Sequence, residues 1–264
     1  MTLSWQERFG AVERLLGSVG AQAIASAHVA VVGLGGVGSW AVESLARSGV
    51  RALTLVDFDD VAPGNINRQL HATDATVEMP KVAAMRDRVL SYHPQCLVHC
   101  VPQRIGVEQT TLACLEGVDA LIDACDEVRA KVALAQWALA HPQCAFVMVG
   151  AAAGKRCAHL VDVADLAEVC HDPLLAKVRN ALRRNLAMPR CRGKAGLCTV
   201  YSPEPMPTLS PTAQQSCPTW GLGNHGWGCL VSVTATLGHC AAGCIVQRLV
   251  ECAGERTVAV LPHS

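Results

Sequence analysis

The stretch His28–Trp40, HVAVVGLGGVGSW, constrains the fold more than any other part of the chain. It joins a valine-rich apolar run to glycines at Gly33, Gly35, Gly36 and Gly38, and then to a helical pattern over 39–48 that ends near Gly49. An apolar run without polar alternation predicts a strand covered on both faces, the environment of a parallel sheet. Ala52–Asp57, ALTLVD, repeats that signature, so residues 28–57 read as strand, tight turn, helix and strand, the first crossover of such a sheet. Glycines at the turn let the backbone bend sharply and bring its N–H groups to a helix N-terminus, where the dipole favours an anion.

The alternation continues along the chain. Helices are predicted over 81–91, 107–115 and 129–140, and strands over 96–101, 118–123 and 145–150. Ahead of the first strand, apolar spacing at Phe9, Val12, Leu15, Leu16 and Val19 predicts helix over 5–26, with Gly17 and Gly20 as breaks. The predicted fold is α/β: a Rossmann-like, doubly wound, mostly parallel sheet with a C-terminal extension. Three regions follow: an N-terminal helical segment (1–27), a nucleotide-binding region (28–155) and a C-terminal region (156–264). The last contains a charged helix over 171–187 and a Pro-, Cys- and Thr-rich stretch, near 188–220, that reads as a flexible loop.

At 264 residues and 51% hydrophobic content the chain buries a full core, and its 22 basic and 22 acidic residues cancel. The total charge therefore gives no sign of a nucleic-acid partner, but Lys177, Arg179, Arg183, Arg184, Arg190, Arg192 and Lys194 gather in one stretch. Such a cluster reads either as a solvated helix face or as a contact surface for an RNA backbone. None of the 14 cysteines is in a CxxC pair, so neither zinc nor a disulfide framework is expected, and most should act as small buried hydrophobes in a reducing compartment. MTLSWQERFG carries no secretion signal, which makes the cytoplasm the expected location. The apolar stretch 228–246 is as long as a membrane span, but it contains Ser232, Thr234, Thr236 and His239. It reads as a buried strand or helix, or as a subunit interface; no stable span is expected, and peripheral membrane contact stays open.

Gly33-x-Gly35-x-x-Gly38, with Asp57 ending the next strand, satisfies the dinucleotide fingerprint, so a nicotinamide-dependent oxidoreductase or a nucleotide-sensing module fits these residues alone. The residues beyond favour ATP. Asn65, Asn67, Arg68 and Gln69, followed by Lys81 at the head of a helix, supply the charge and donors that a triphosphate requires and a nicotinamide does not. Asp126, just after the strand ending at Asp123, is placed to hold Mg2+, and also reads as a helix cap.

Together GLGGVGS, DFDDV, NINRQ, Lys81 and the Asp123-x-x-Asp126 pair resemble the ATP-dependent adenylating enzymes related to ubiquitin activation, among them ThiF, MoeB and HesA. The resemblance implies that Gly33, Gly35, Gly36, Gly38, Asp57, Asp59, Asn65, Arg68, Gln69 and Lys81 line the ATP, Asp57 on the ribose and Asn65, Arg68 and Lys81 on the phosphates. Arg68, Lys81 and Asp126 would be the catalytic set, with Asp126 the magnesium ligand. RFGAVERLLG, VDFDDVAPGNINRQLHA, VADLAEVCHDPLLAKVRNALRR and VSVTATLG extend the likeness through nearly the whole chain, to the branch of tRNA threonylcarbamoyladenosine dehydratases. That branch implies a tRNA substrate cyclised at the modified adenosine next to the anticodon, a homodimer, and a cysteine desulfurase or sulfur acceptor as candidate partner. It also implies an arginine reaching the partner subunit's ATP, for which Arg8 and Arg14 both qualify. The missing CxxC pairs fit this branch better than adenylyltransferases acting on the C-terminal carboxylate of a sulfur-carrier protein, which is the alternative. Cys217 and Cys229 flank a cysteine-free stretch over 221–226.

Overall fold

The computed structural model describes residues 3–106, 109–185, 194–205 and 227–260. Seven strands form one sheet: β1 (His28–Val32), β2 (Ala52–Val56), β3 (Leu97–Val101), β4 (Ala120–Asp123), β5 (Ala145–Val149), β6 (Asp162–Asp165) and β7 (Cys198–Tyr201). Their order is β3-β2-β1-β4-β5-β7-β6, parallel throughout except for β6, which runs antiparallel on β7 at the edge. Strand order reverses between β1 and β4, the place where doubly wound sheets open a crevice at their carboxyl ends.

The helices are α1 (Trp5–Ser26), α2 (Gly38–Arg47), α3 (Lys81–Tyr92), α4 (Gln109–Leu112), α5 (Val128–Ala140), α6 (Pro173–Asn185) and α7 (Val231–Val260). Successive residues of β1 serve opposite cores: Val29 and Val31 pack with α2 and α7, while Ala30 and Val32 pack with Leu121 and Leu134. This two-sided burial explains why the strand reads as an unbroken apolar run. A third core, with Leu175, Val178 and Leu182 of α6 against Met148 and Tyr201, covers the β5–β7 half.

Four features differ from the sequence-based expectation. Residues 198–201, expected within a flexible loop, form β7, because Thr199 and Val200 pair between β5 and β6. The strand β6 was not anticipated, and the sheet therefore continues well past residue 155. Helix α1 bends at Gly17 (φ 72°) but runs on through Gly20, which lies against Leu16 and Val250. The apolar C-terminal stretch is helical from Val231 and extends to Val260, well beyond residue 246.

By length and hydropathy Val231–Gly254 would suffice to cross a membrane. Here Val233, Leu237, Ala241 and Ile245 of that helix are fully buried in the main core. α7 approaches α2 so closely at Gly238 that an added Cβ would lie 2.4 Å from the Val37 carbonyl oxygen and 2.9 Å from Trp40 Cβ. Gly238→Val is expected to destabilise the fold by about 3 kcal/mol and lower Tm by roughly 6–12 °C. Gly243→Ala, on the same helix with nothing within 4 Å of the added atom, should leave Tm unchanged or raise it. Equal thermal denaturation of Gly238→Val and wild type would disprove this packing.

Candidate nucleotide site at the switch point of the sheet

The site is built around the carboxyl ends of β1, β2 and β4 and the connection from β2 to α3. Gly33, directly after β1, adopts a left-handed φ of 88°, and a Cβ there would lie 2.9 Å from the backbone of Ala124 and Cys125. A Cβ on Gly38 would fall 1.8 Å from the Gly33 carbonyl oxygen, so α2 reaches the turn only because both positions are glycine. Gly35 faces open space, and its carbonyl accepts from the Ser39 hydroxyl at 2.8 Å. The result is an anion cradle at the N-terminus of α2.

Asp57 follows β2 and is buried. Its carboxylate accepts from the Leu34 N–H at 2.6 Å and the Asp59 N–H at 2.9 Å, which ties the glycine turn to the end of β2. Burial raises its pKa, against the opposing effects of Lys81 and the two N–H donors. Lys81 Nζ lies 2.8 Å from Asp59 Oδ2 and 3.9 Å from Asp57 Oδ1, with the lysine only 5% exposed. Asp59 therefore holds Lys81 directly, a relation its place in the DFDDV run did not reveal.

Between β2 and α3, Asn65 Oδ1 accepts from the Ala62 N–H and shapes a short turn at Pro63–Asn65. Arg68 lies over the glycine turn, its Cγ 3.1 Å from the position of a Cβ on Gly36. Its guanidinium donates to Gly64 O and Asn67 Oδ1, both at 2.8 Å, and its carbonyl accepts from Trp40 Nε1 of α2. Gln69 is buried, and its Oε1 has no hydrogen-bond partner among the described residues. Asp126 is exposed at the end of β4, and no hydrogen bond or ion pair engages it among the described residues. An exposed carboxylate of this kind fits Mg2+, which keeps water and phosphate oxygens as its other ligands. The described residues contain no cluster of three or more His, Cys, Asp or Glu side chains that would hold a metal by itself.

Sequence reasoning missed one buried group beside this edge. Lys131, on the inward face of α5, is fully buried with Asp123, Nζ to Oδ1 3.1 Å, and donates to Val149 O at 2.7 Å. It ties the ends of β4 and β5 together. The only trace in the sequence is a lysine at a core position of an Ala- and Val-rich helix. Cys125 donates its thiol to Asp123, and burial together with that carboxylate pushes its pKa well up, which keeps it a thiol. His71 is buried as well: it is 3% exposed, and neither ring nitrogen has a partner among the described residues. Of the basic run, Lys177 and Arg184 are exposed, whereas Arg179 turns inward to the carbonyls of Leu166 and Val169, which removes it from an RNA-contact face. Arg190, Arg192 and Cys217 lie outside the described residues.

Burial, with Lys81 and Arg88 adding to it, pushes the His71 pKa from 6.5 down to about 4. Below pH 6.5 the unfolded chain takes up a proton that the folded chain refuses, so stability falls as pH drops through that window. Urea unfolding should show a loss of about 2 kcal/mol from this group between about pH 7 and pH 5. His71→Leu should flatten that dependence, and an unchanged slope would remove His71 as its source.

The ThiF family model matches residues 10–258. The tRNA threonylcarbamoyladenosine dehydratase of Haemophilus influenzae is 34% identical over 251 residues, 94% of this chain and 95% of that protein. The crystal structure of the Escherichia coli dehydratase TcdA in complex with ATP superposes with a TM-score of 0.85 at 34% identity, covering 97% of this chain and all of that one. The molybdopterin-synthase adenylyltransferase of Salmonella typhimurium is 38% identical, but over only 112 residues, 42% of this chain and 45% of that protein. The glycine cradle, the Asp57–Lys81 pair and the Asn65–Gln69 turn thus occur in a chain that belongs to the ThiF family.

Proposed function

We propose that this chain is an ATP-dependent tRNA-modifying enzyme that dehydrates threonylcarbamoyladenosine next to the anticodon, through adenylation of its carboxylate. The observation that carries this reading is the span of the similarity. The likeness to the dehydratases runs the length of the chain, whereas the likeness to the carrier-protein adenylyltransferase covers less than half.

A carboxylate is a poor electrophile, because its leaving group would be oxide. In the proposed reaction a carboxylate oxygen attacks the α-phosphorus of ATP and pyrophosphate leaves. A neighbouring amide nitrogen or oxygen of the same group then attacks the acyl carbon, the amide N–H gives up its proton, and AMP is expelled. The nucleoside loses one water overall, and because ring closure is intramolecular, proximity contributes several kcal/mol. The chain's own part is to bind and orient. The cradle at 33–38 admits phosphate oxygens, Asp57 accepts from the ribose, and Arg68 and Lys81 offset charge on the phosphates, with Lys81 passing from Asp59 to the nucleotide. Mg2+ on Asp126 would supply further charge neutralisation.

Region 156–264 is proposed to meet the tRNA and a second copy of the chain, in the cytoplasm. Arg183 and Arg184 of α6 are the proposed backbone contacts. Arg8 donates to the Tyr92 carbonyl at 2.9 Å within its own protomer, which leaves exposed Arg14 as the arginine proposed to reach across a homodimer.

Incubation of tRNA bearing threonylcarbamoyladenosine with the protein, ATP and Mg2+, followed by a digest that preserves the ring, should yield a nucleoside lighter by one water. Arg68→Ala should slow this by about 100-fold. An unchanged nucleoside in the presence of bound ATP would shift the reading to carrier-protein carboxylates. Arg183→Ala/Arg184→Ala should weaken tRNA binding and reduce the salt slope of log K by about 1–2. An unchanged slope would remove α6 from the interface.

A further inference from the structure

Lys155, in the connection that leaves β5, is 1% exposed. Its Nζ donates to the backbone carbonyls of His171 (3.0 Å), Ser202 (3.1 Å) and Glu204, so all three ammonium protons are used and no side-chain ion pair engages it among the described residues. An ammonium is costly to remove from water, and lysines are almost never fully buried unless paired. A methionine would fill this volume but leave these three carbonyls without a donor, so the ammonium acts here as a three-way tie between the segments that carry them.

The three carbonyls belong to segments far apart in sequence: the turn before α6, where His171 adopts a left-handed φ of 53°, and the exit from β7. The backbone around Lys155 grips the same segments. Arg156 and Cys157 donate their N–H groups to the Glu204 carboxylate at 2.8 and 2.9 Å, and Gly154 donates to the Gly228 carbonyl at 3.0 Å. Beside them the buried Asp172 carboxylate accepts from Ala151 and Leu175. Residue 229 carries the connection to the nucleotide side: the Cys229 carbonyl accepts from Asn67 Nδ2 at 3.1 Å, and Asn67 Oδ1 accepts from Arg68. The cradle at 33–38, Asp57 and Lys81 share no hydrogen bond with Lys155 among the described residues.

We propose that Lys155 is a positioning residue for the reaction: its caged ammonium sets the carboxyl ends of β5 and β7, where the acyl acceptor must sit, relative to Arg68. In an open α/β sheet the strand ends beyond the switch point form the far wall of the crevice, opposite the nucleotide. The bond pattern assigns ATP binding to one half and acceptor alignment to the other, with Lys155 serving the second half alone. A misplacement of the reacting groups by about 1 Å costs turnover far more than it costs binding.

This inference rests on the proposed dehydration, and the test separates the two. In Lys155→Ala the ATP Kd, by titration calorimetry, should stay within about twofold of wild type while kcat for water loss falls by at least about tenfold. Propylammonium, which returns the deleted N–H donors to the vacated space, should restore kcat by at least about fivefold, and tetramethylammonium, equal in charge but without donors, should not. If Lys155→Ala fails to fold by circular dichroism, Lys155→Gln decides. It keeps two N–H donors and should lose kcat by roughly threefold or more at unchanged ATP affinity. Wild-type kcat in the variant that folds, a parallel loss of ATP binding and kcat, or a loss in Lys155→Ala that propylammonium does not reverse would overturn the role. A wild-type protein that binds ATP and releases no water from the nucleoside would overturn the proposed function, and this inference with it.

Discussion

The close approach of α2 to the end of β1 governs the rest of the structure. A side chain at Gly33 would strike the Ala124–Cys125 backbone, and one at Gly38 would strike the Gly33 carbonyl. With neither present, the first turn of α2 sits directly over the strand end at the switch point. Leu34, inside that turn, donates to Asp57, so the cradle and the end of β2 are held as one unit. α7 completes the arrangement from behind, where Gly238 lets it press against Val37 and Trp40, and Trp40 in turn holds the Arg68 carbonyl.

Three buried lysines lie along the carboxyl edge, and each meets the cost of desolvation in a different way. Lys81 uses the carboxylate of Asp59, a half-exposed partner. Lys131 shares complete burial with Asp123, an arrangement in which removal of one partner costs about 3–5 kcal/mol because the other charge is left unpaired. Lys155 takes backbone carbonyls alone. The half-exposed pair lies beside the glycine turn and Asp57, and the two fixed ammonium groups lie at the ends of strands β4, β5 and β7.

Much of the nucleotide half was legible in the sequence. Burial on both faces writes β1, β2 and β4 as apolar runs, and the glycine spacing, Asp57, Asn65, Arg68 and Lys81 lie within one short stretch of chain. The far half was less legible. β6 and β7 are four residues each, and β7 follows a segment whose composition reads as loop, so its strand character comes from pairing with β5 and β6 rather than from local propensity. Arg179 resembled its basic neighbours until the Leu166 and Val169 carbonyls were seen to claim it.

The sequence by itself determined the crossover unit, the cradle at the head of α2 and the acidic, amide and basic residues that follow it, because these depend on local backbone sterics and on spacing within a few turns of chain. Only the tertiary structure decided that Lys81 is held by Asp59, that Lys131 and Lys155 are buried, that His71 stays neutral, and that the chain from 198 to 201 is a strand. Those outcomes depend on which distant carboxylates, carbonyls and strands arrive alongside, and the free energy of a charge or an unpaired strand is set by those neighbours rather than by its own position in the chain.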